Sequence, residues 1–337
     1  MRADHDHKPS AAAGMGDTTN LLELRRLAGK SQWAFAASPR LAVQPAAGKG
    51  RGVFALCDFE PGEMIIAEAP LLAWDIDLTS ERTDLSELEG LADALSPASQ
   101  RAFFDLCDPS APLAKTAFGI WSSNAYVREF GDCFEPEADQ GVSRGAVFRI
   151  ICRMNHECRP NGHVAWNHAI HMQTVHALQA IEAGSEVTVC FLGADALASR
   201  ASRREQLRRT KRFECACSAC TLAGEALARS EQRMRRLTSL RAQMGTGSLT
   251  GAALVECVDE MWRLAEADGA PHVWLRSEAL AAMVHAQQDS TGGVKQALQW
   301  ARRGAVSTRL ALGADAPTTY KFEVLAKRAW ARVVAVR

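Results

Sequence analysis

Three cysteines close together place the strongest constraint on the fold of this chain. They form the pattern Cys215-Ala-Cys217-Ser-Ala-Cys220, and thiolates at this spacing can converge on one tetrahedral zinc ion. A closed structural zinc site needs a fourth ligand from elsewhere in the chain. The candidates are Cys152, Cys158, His156 and His163. A cluster of buried free thiols is the alternative interpretation.

The composition argues against several classes of protein. Lys plus Arg number 39, equal to Asp plus Glu, and 47% of residues are apolar, which disfavours wholesale disorder and a global nucleic-acid-binding charge. No apolar run reaches the ~18 residues of a transmembrane helix, and the N-terminal segment lacks the apolar core of a secretory signal. We therefore expect a soluble, intracellular protein without membrane partners, in the nucleus or cytoplasm, whose ten cysteines form no disulfide framework.

The pattern of apolar residues predicts an α+β chain. The polar residues 1–38 are expected to form a disordered leader. Short apolar runs broken by turns predict strands within 39–75 and 163–192, whereas Leu and Ala at helical intervals predict a helical insert at about 77–120. Ala- and Leu-rich segments separated by glycines predict an all-helical C-terminal domain over 223–337, loosely similar to stacked tetratricopeptide pairs.

A glycine-rich segment, Gly48-Lys49-Gly50-Arg51-Gly52, reads G-x-G-x-G but does not predict a dinucleotide-binding fold. That fingerprint needs a strand before the glycines and a long helix after them. Here a strand-like run follows, and Pro61-Gly62 ends it within ten residues. The glycines instead fit a tight turn or a close approach of the backbone to a ligand.

Three further segments, taken in order, resemble the SET-domain protein lysine methyltransferases, and within them the branch related to SET and MYND domain proteins. The first is Gly50–Ala55 with the turn Phe59–Glu63, and the second is Asn155–Asn161, which reads NHECRPN. The third joins Ile181–Thr188 to the cysteine-rich Phe213–Cys220. The predicted insert contains only one cysteine, so the MYND zinc finger that some relatives carry there is not expected.

This resemblance implies a SET domain over residues 39–212, a zinc-binding post-SET segment at 213–222, and the cofactor S-adenosylmethionine. The residues implied to bind the cofactor are Gly50, Arg51, Gly52, Asn124, Asn155, His156 and Phe213. The family's zinc ligands correspond to Cys158, Cys215, Cys217 and Cys220. Among the four candidates for the distant ligand, the resemblance therefore selects Cys158.

The chain departs from the family at its tyrosines. The family strand usually ends in a tyrosine whose hydroxyl orients the acceptor amine, and Phe191 stands at that place. Relatives often have another tyrosine just before the cysteines, where this chain has Thr210-Lys211-Arg212. Tyr126, one of two tyrosines in the chain, is a second candidate, and the rings of Phe191 and Trp166 suit the walls of a lysine channel.

The resemblance thus implies an S-adenosylmethionine-dependent protein-lysine N-methyltransferase acting on a histone or another protein. The alternative is a catalytically weak or inactive SET-fold protein that acts as a zinc-stabilised binding module. The two differ in whether a methyl group is transferred once the cofactor is bound.

Seven basic residues lie within Arg200–Arg212 and could be taken for a nucleic-acid site. Ser202-Arg203-Arg204-Glu205 has the form of a capping box, and the segment joins a strand to the cysteines, so we predict a solvated connecting helix. If nucleic acid or another acidic surface binds the protein, we expect the contact to be limited to this local basic helix.

Overall fold

The structure is a computed structural model, and it describes residues 39–77, 84–109, 114–127, 142–287 and 293–335. The predicted leader and parts of the predicted insert lie outside the described residues. Within the described residues, small mixed sheets are followed by a helical C-terminal region. This architecture confirms the predicted α+β fold class.

The strands are short and form three sheets in the described part of the chain, with the orders β1-β2-β10-β7, β3-β9-β8 and β4-β6-β5. Their bounds are β1 Leu41–Ala46, β2 Gly50–Ala55, β3 Met64–Glu68, β4 Leu72–Asp77, β5 Tyr126–Val127, β6 Val142–Val147, β7 Asn155–His156, β8 Gly162–Asn167, β9 Met172–Ala177 and β10 Glu186–Val189. Strand β10 pairs antiparallel with β2 and parallel with β7. It therefore brings the glycine-rich strand and the Asn155-His156 pair into one sheet.

The helices begin and end as follows: α1 Leu85–Asp93, α2 Pro97–Phe104, α3 Ala117–Asn124, α4 Arg200–Lys211, α5 Gly224–Gly245, α6 Gly251–Ala267, α7 Arg276–Ala286, α8 Gly293–Leu312 and α9 Pro317–Ala335. The side chains of Asp84, Ser96 and Thr116 cap the first three by accepting backbone N–H groups. Helices α1 to α3 pack on β4 through an apolar cluster that includes Trp74 and Trp121.

Helix α4 corrects the predicted capping box. The hydroxyl of Ser199 accepts the N–H of Ser202 at 3.2 Å, so Ser199 is the N-cap and Ser202 lies in the first turn. The sequence predicts a solvated helix, but the side chain of Arg203 is buried. One face of the helix is therefore packed against the protein. Serine is a favoured N-cap residue, so Ser199 and Ser202 both suit that position in the sequence. Tertiary packing decides which of the two begins the helix.

Helices α5 to α9 pack in chain order, each against the next, around a core that includes Met261, Trp262 and Trp300. Gly304 of α8 permits a close approach of α9, because a Cβ at this position would lie 2.3 Å from the ring of Phe322. Helix α8 also packs on β8 and β9, which joins the helical region to the sheets. Among the described residues, no helix has the length and apolarity needed to cross a bilayer.

Candidate active site

A cavity of about 2020 Å³ lies between the sheets, the insert and the C-terminal helices. Most of the predicted site residues line it: Gly50, Arg51, Asn124, Tyr126, Asn155, His156, Trp166, Phe191 and Phe213. Among the predicted cofactor-binding residues, Gly52 is the exception and is not part of the lining. The topology thus brings together residues that are up to 163 positions apart in the chain, from Gly50 to Phe213.

Asn155 is fixed at the edge of this cavity by two hydrogen bonds. Its Nδ2 donates to the backbone oxygen of Arg51 at 3.0 Å and to Oε1 of Glu186 at 2.7 Å. A Cβ on Gly52 would lie 2.9 Å from that Nδ2 and 2.5 Å from that Oε1. A glycine at position 52 is therefore required for Asn155 to hold its place.

His156 is buried and joins the cavity wall to the cysteines. Its Nδ1 accepts the backbone N–H of Phe191 at 3.1 Å, and its Nε2 lies 3.3 Å from Sγ of Cys158. Burial lowers the pKa of His156 to about 4, so the ring is neutral at pH 7. Because Nδ1 accepts, the single ring proton is assigned to Nε2 and points toward the Cys158 sulfur.

Three aromatic rings meet at this point. The ring centroid of His156 lies 5.4 Å from that of Phe191 and 6.0 Å from that of Phe213, and the two phenylalanine rings are 6.5 Å apart and nearly perpendicular. Phe191 lies two residues beyond the end of β10, where the sequence predicts the family's tyrosine position. The wall that the family resemblance assigns to amine binding is thus apolar at Phe191.

Lys211 is a residue of this wall that the sequence analysis did not single out. Its Nζ donates to the backbone oxygen of Ser123 at 2.8 Å and lies 5.6 Å from the ring centroid of Phe191. One sequence signal could have identified it, because it falls where relatives often have a tyrosine. Its inward direction, however, depends on how α4 packs.

Two predicted site residues, Asn124 and Tyr126, contact other residues of the protein. Nδ2 of Asn124 donates to the backbone oxygens of Ile120 at 2.6 Å and Cys107 at 2.7 Å, which closes the end of α3. The ring of Tyr126 lies 6.3 Å from that of Phe148, and burial raises the pKa of its hydroxyl. Their roles toward cofactor and acceptor stay predictions.

Four buried cysteines form a second cluster behind His156. The sulfurs of Cys158, Cys215, Cys217 and Cys220 all lie within 4.8 Å of one another, and Cys158 and Cys220 are 3.6 Å apart. Four thiolates around a zinc ion at about 2.3 Å stand about 3.8 Å from one another, so the donor set fits a structural zinc. The other candidates for the fourth ligand, Cys152, His156 and His163, lie outside this group.

Arg203 is a second residue that the sequence analysis missed. It lies against the sulfurs of Cys158 and Cys220 and donates from Nη1 to the backbone oxygen of Ala198 at 2.7 Å. Burial alone would lower its pKa, but the interaction with these sulfurs outweighs burial and raises it. The guanidinium therefore offsets negative charge that a four-thiolate site accumulates.

Three further basic residues of α4 are held by contacts within the protein. Arg204 pairs with Glu214 and Arg208 with Glu205, at 3.0 and 2.5 Å, while Arg200 donates to the backbone oxygen of Leu222. Arg209 and Arg212 remain exposed. The paired arginines fit the predicted role of α4 as a connecting helix, and a nucleic-acid contact there stays a prediction.

Comparison with known proteins shows which part of the chain resembles a known domain. The family model of the SET domain matches residues 50–192, which carry β2, the Asn155–Asn161 segment and β10. Residues 50–192 are therefore similar to SET domains. It is 28% identical to histone-lysine N-methyltransferase set5 of Schizosaccharomyces pombe over 199 residues, which cover 59% of this chain and 54% of that protein.

Two human SET proteins confirm the resemblance to the SET and MYND branch. The chain is 30% identical to histone-lysine N-methyltransferase SMYD3 over 173 residues, 51% of this chain and 38% of that protein. It is 32% identical to protein-lysine N-methyltransferase SMYD4 over 82 residues, 24% of this chain and 10% of that protein. The chain thus spans about half or less of the length of these curated relatives.

Proposed function

We propose that this SET-domain chain is an S-adenosylmethionine-dependent protein-lysine N-methyltransferase. The observation that carries the proposal is the convergence of Asn155, His156 and Phe213 on one cavity beside the glycine-rich strand. All but Phe213 lie within the matched SET segment. The names of the relatives support the reaction type.

The cavity wall fits the proposed cofactor. The backbone at Gly50 is open, because a Cβ there would meet no atom within 4 Å, so a ligand can approach the main chain closely. Phe213 offers an aromatic face for the adenine, and Asn155 stands with its amide already oriented by Arg51 and Glu186. When bound, the cofactor supplies a methyl group on a cationic sulfur.

The protein's own contribution is mainly positioning. A free lysine has a pKa near 10.4, and an apolar wall such as that of Phe191 and Trp166 favours the neutral, nucleophilic amine. Alignment of that amine with the methyl carbon, with water excluded, carries the rate in a displacement of this kind. The acceptor would be a lysine of a histone or another intracellular protein.

Zinc on Cys158, Cys215, Cys217 and Cys220 is part of the proposal. Such an ion would tie the Asn155–Asn161 segment to the chain that follows α4. It would thereby hold His156 and Phe213 at their observed separation. Its role is structural, because all four donors are cysteines and no coordination position is left open.

A binding module without transfer is the second candidate. The observation that favours it is the absence of a hydroxyl at Phe191, together with the burial of Tyr126. Incubation of the purified protein with methyl-labelled cofactor and a panel of histone and non-histone proteins separates the two. Labelled lysine is the result expected of the enzyme, whereas cofactor binding without any transfer would establish the binding module.

A further inference from the structure

Lys211 is a partly buried amine that makes no salt bridge to a carboxylate in the described part of the chain. Its Nζ donates to the backbone oxygen of Ser123, and the ring of Phe191 lies on its other side. Burial lowers its pKa, which the neighbouring Cys152 only partly offsets. A lysine held in apolar surroundings without a counter-ion is costly to keep charged, and such groups are concentrated at functional sites.

Three ionisable groups of the same cavity, Cys152, Cys190 and Tyr126, carry no negative charge. Burial raises the pKa of the Cys152 and Cys190 thiols to about 12 and raises that of the Tyr126 hydroxyl as well. Each of these groups is therefore neutral at pH 7. The end of α3, which supplies Ser123, adds the uncharged Asn124. Burial is thus the main influence on the Lys211 amine, and it lowers the pKa of that amine.

A neutral lysine amine has two N–H groups and one lone pair. The backbone oxygen of Ser123 takes one N–H, and the Phe191 ring, whose centroid is 5.6 Å from Nζ, offers no competing donor or acceptor. The lone pair is then free for the cavity that Lys211 lines together with His156 and Phe213. This is the wall at which the acceptor amine is expected.

We propose that Lys211 is the proton acceptor for the acceptor lysine and supplies the polar group that Phe191 lacks; this inference rests on the proposed function. The acceptor arrives as an ammonium and gives one proton to Nζ of Lys211. The lone pair freed on the acceptor nitrogen forms the new N–C bond, and the electron pair of the broken C–S bond stays on sulfur. Lys211 returns its proton to water when the methylated product leaves.

Three variants and a matched control test this role. Lys211→Met keeps the aliphatic stem, Lys211→Arg keeps a permanent charge, and Lys211→Ala leaves space for an added amine. Lys115→Met is the control, because Lys115 lines the same cavity but donates to the backbone oxygens of Phe104 and Leu106. Initial rates, affinity for S-adenosylhomocysteine and thermal midpoints are measured for the wild type and each variant.

We expect all three Lys211 variants to lose about 10²-fold in kcat, with the thermal midpoint and affinity unchanged. Ethylamine should restore part of the Lys211→Ala rate, increasingly as pH rises and more of it is unprotonated. A Lys211→Met rate equal to or above wild type, a loss that ethylamine does not restore, or a methyl group found on Lys211 itself would each overturn the proposal. A wild type that transfers to no substrate at all would overturn the proposed function as well.

Discussion

At the scale of single residues, Phe191 distinguishes an acceptor pocket from an ordinary apolar core. The variant Phe191→Tyr adds a hydroxyl close to the Lys211 amine, which lies 5.6 Å from the ring centroid. A preorganised polar contact in an active site is typically worth about 10²- to 10³-fold in rate. We therefore expect a rise in kcat toward the lower end of that range, measured by methyl transfer, with unchanged cofactor affinity.

Phe148→Tyr is the control for that substitution. Phe148 is fully buried in the sheet core, so its new hydroxyl would lack a partner and cost about 1 to 3 kcal/mol of stability without any gain in rate. If Phe191→Tyr behaves in the same way, Phe191 is a core ring and the acceptor pocket lies elsewhere.

The sequence was sufficient to nominate Asn155, His156 and Phe213, because their order along the chain matches a family pattern. It did not identify Lys211 and Arg203 as residues of the two sites. On α4 they look like the other basic residues, and only the packing of the helix turns one toward Phe191 and the other toward the cysteines. Direction of a side chain depends on tertiary contacts that local patterns do not contain.

At the scale of elements, the cysteine cluster predicts a zinc ion that holds the Asn155–Asn161 segment to the chain that follows α4. Wild-type protein should contain about one zinc per chain, and Cys217→Ser should lose zinc and thermal stability together. It should also weaken S-adenosylhomocysteine binding, because His156 and Phe213 flank the cluster. Elemental analysis, thermal unfolding and calorimetry provide the three readouts.

Cys257→Ser provides the comparison for the zinc ligands. Cys257 is buried in α6 and donates to the backbone oxygen of Leu240, away from the cluster. It should keep zinc and cofactor affinity. Far less than one zinc in the wild type, or equal losses in the two variants, would show that the cluster consists of free thiols.

The contact between β9 and the turn after α8 predicts a pH dependence of stability. His176 is buried against Gly313, where a Cβ would lie 2.8 Å from its Nε2, and burial lowers its pKa to about 4. Because this value lies below the ordinary 6.5, the unfolded chain takes up the proton first as pH falls. The contribution of His176 is complete above about pH 6.5 and is lost toward about pH 4.

Urea unfolding of the wild type and of His176→Leu at about pH 7 and about pH 4 measures this effect. Between about pH 7 and about pH 4, the free energy of unfolding of the wild type should fall by about 3 kcal/mol more than that of the variant. Subtraction removes acid effects common to both proteins, including protonation of the cysteines. Parallel losses would show that His176 is not neutral and buried in solution.

The sequence predicted the presence of the strands and helices better than the residues at which they begin and end. The β8–β9 pairing and the helical region beyond residue 222 follow from apolar periodicity. The start of α4 did not, because Ser199 and Ser202 both satisfy the capping rule and packing selects the first. The parallel pairing of β10 with β7 was likewise beyond local patterns, since it joins segments about 30 residues apart.

At the scale of the whole molecule, one buried ion pair network joins the SET domain to the helical region. Asp268, at the end of α6, accepts from Arg159 of the Asn155–Asn161 segment and from Arg233 of α5. The Asp268 side chain is 3% exposed. Its replacement by asparagine leaves two arginines without their anion and should cost about 3 to 5 kcal/mol of unfolding free energy, measured in urea.

Asp259→Asn is the surface counterpart. Asp259 pairs with Arg263 and Arg303, but its side chain is 38% exposed, so its removal should cost at most about 1 kcal/mol. Equal costs for the two substitutions would mean that the helical region is not anchored to the SET domain through Asp268.

The central claim, that the cavity beside Asn155 and His156 binds the methyl donor, is tested most directly by calorimetric titration with S-adenosylhomocysteine. The wild type should bind one equivalent. Gly52→Ala, which forces a Cβ against the Asn155 amide, should weaken binding at least about 10-fold, in line with loss of a positioned polar contact. Gly90→Ala, in open space on α1, should bind like the wild type, whereas no saturable heat with the wild type would contradict the account.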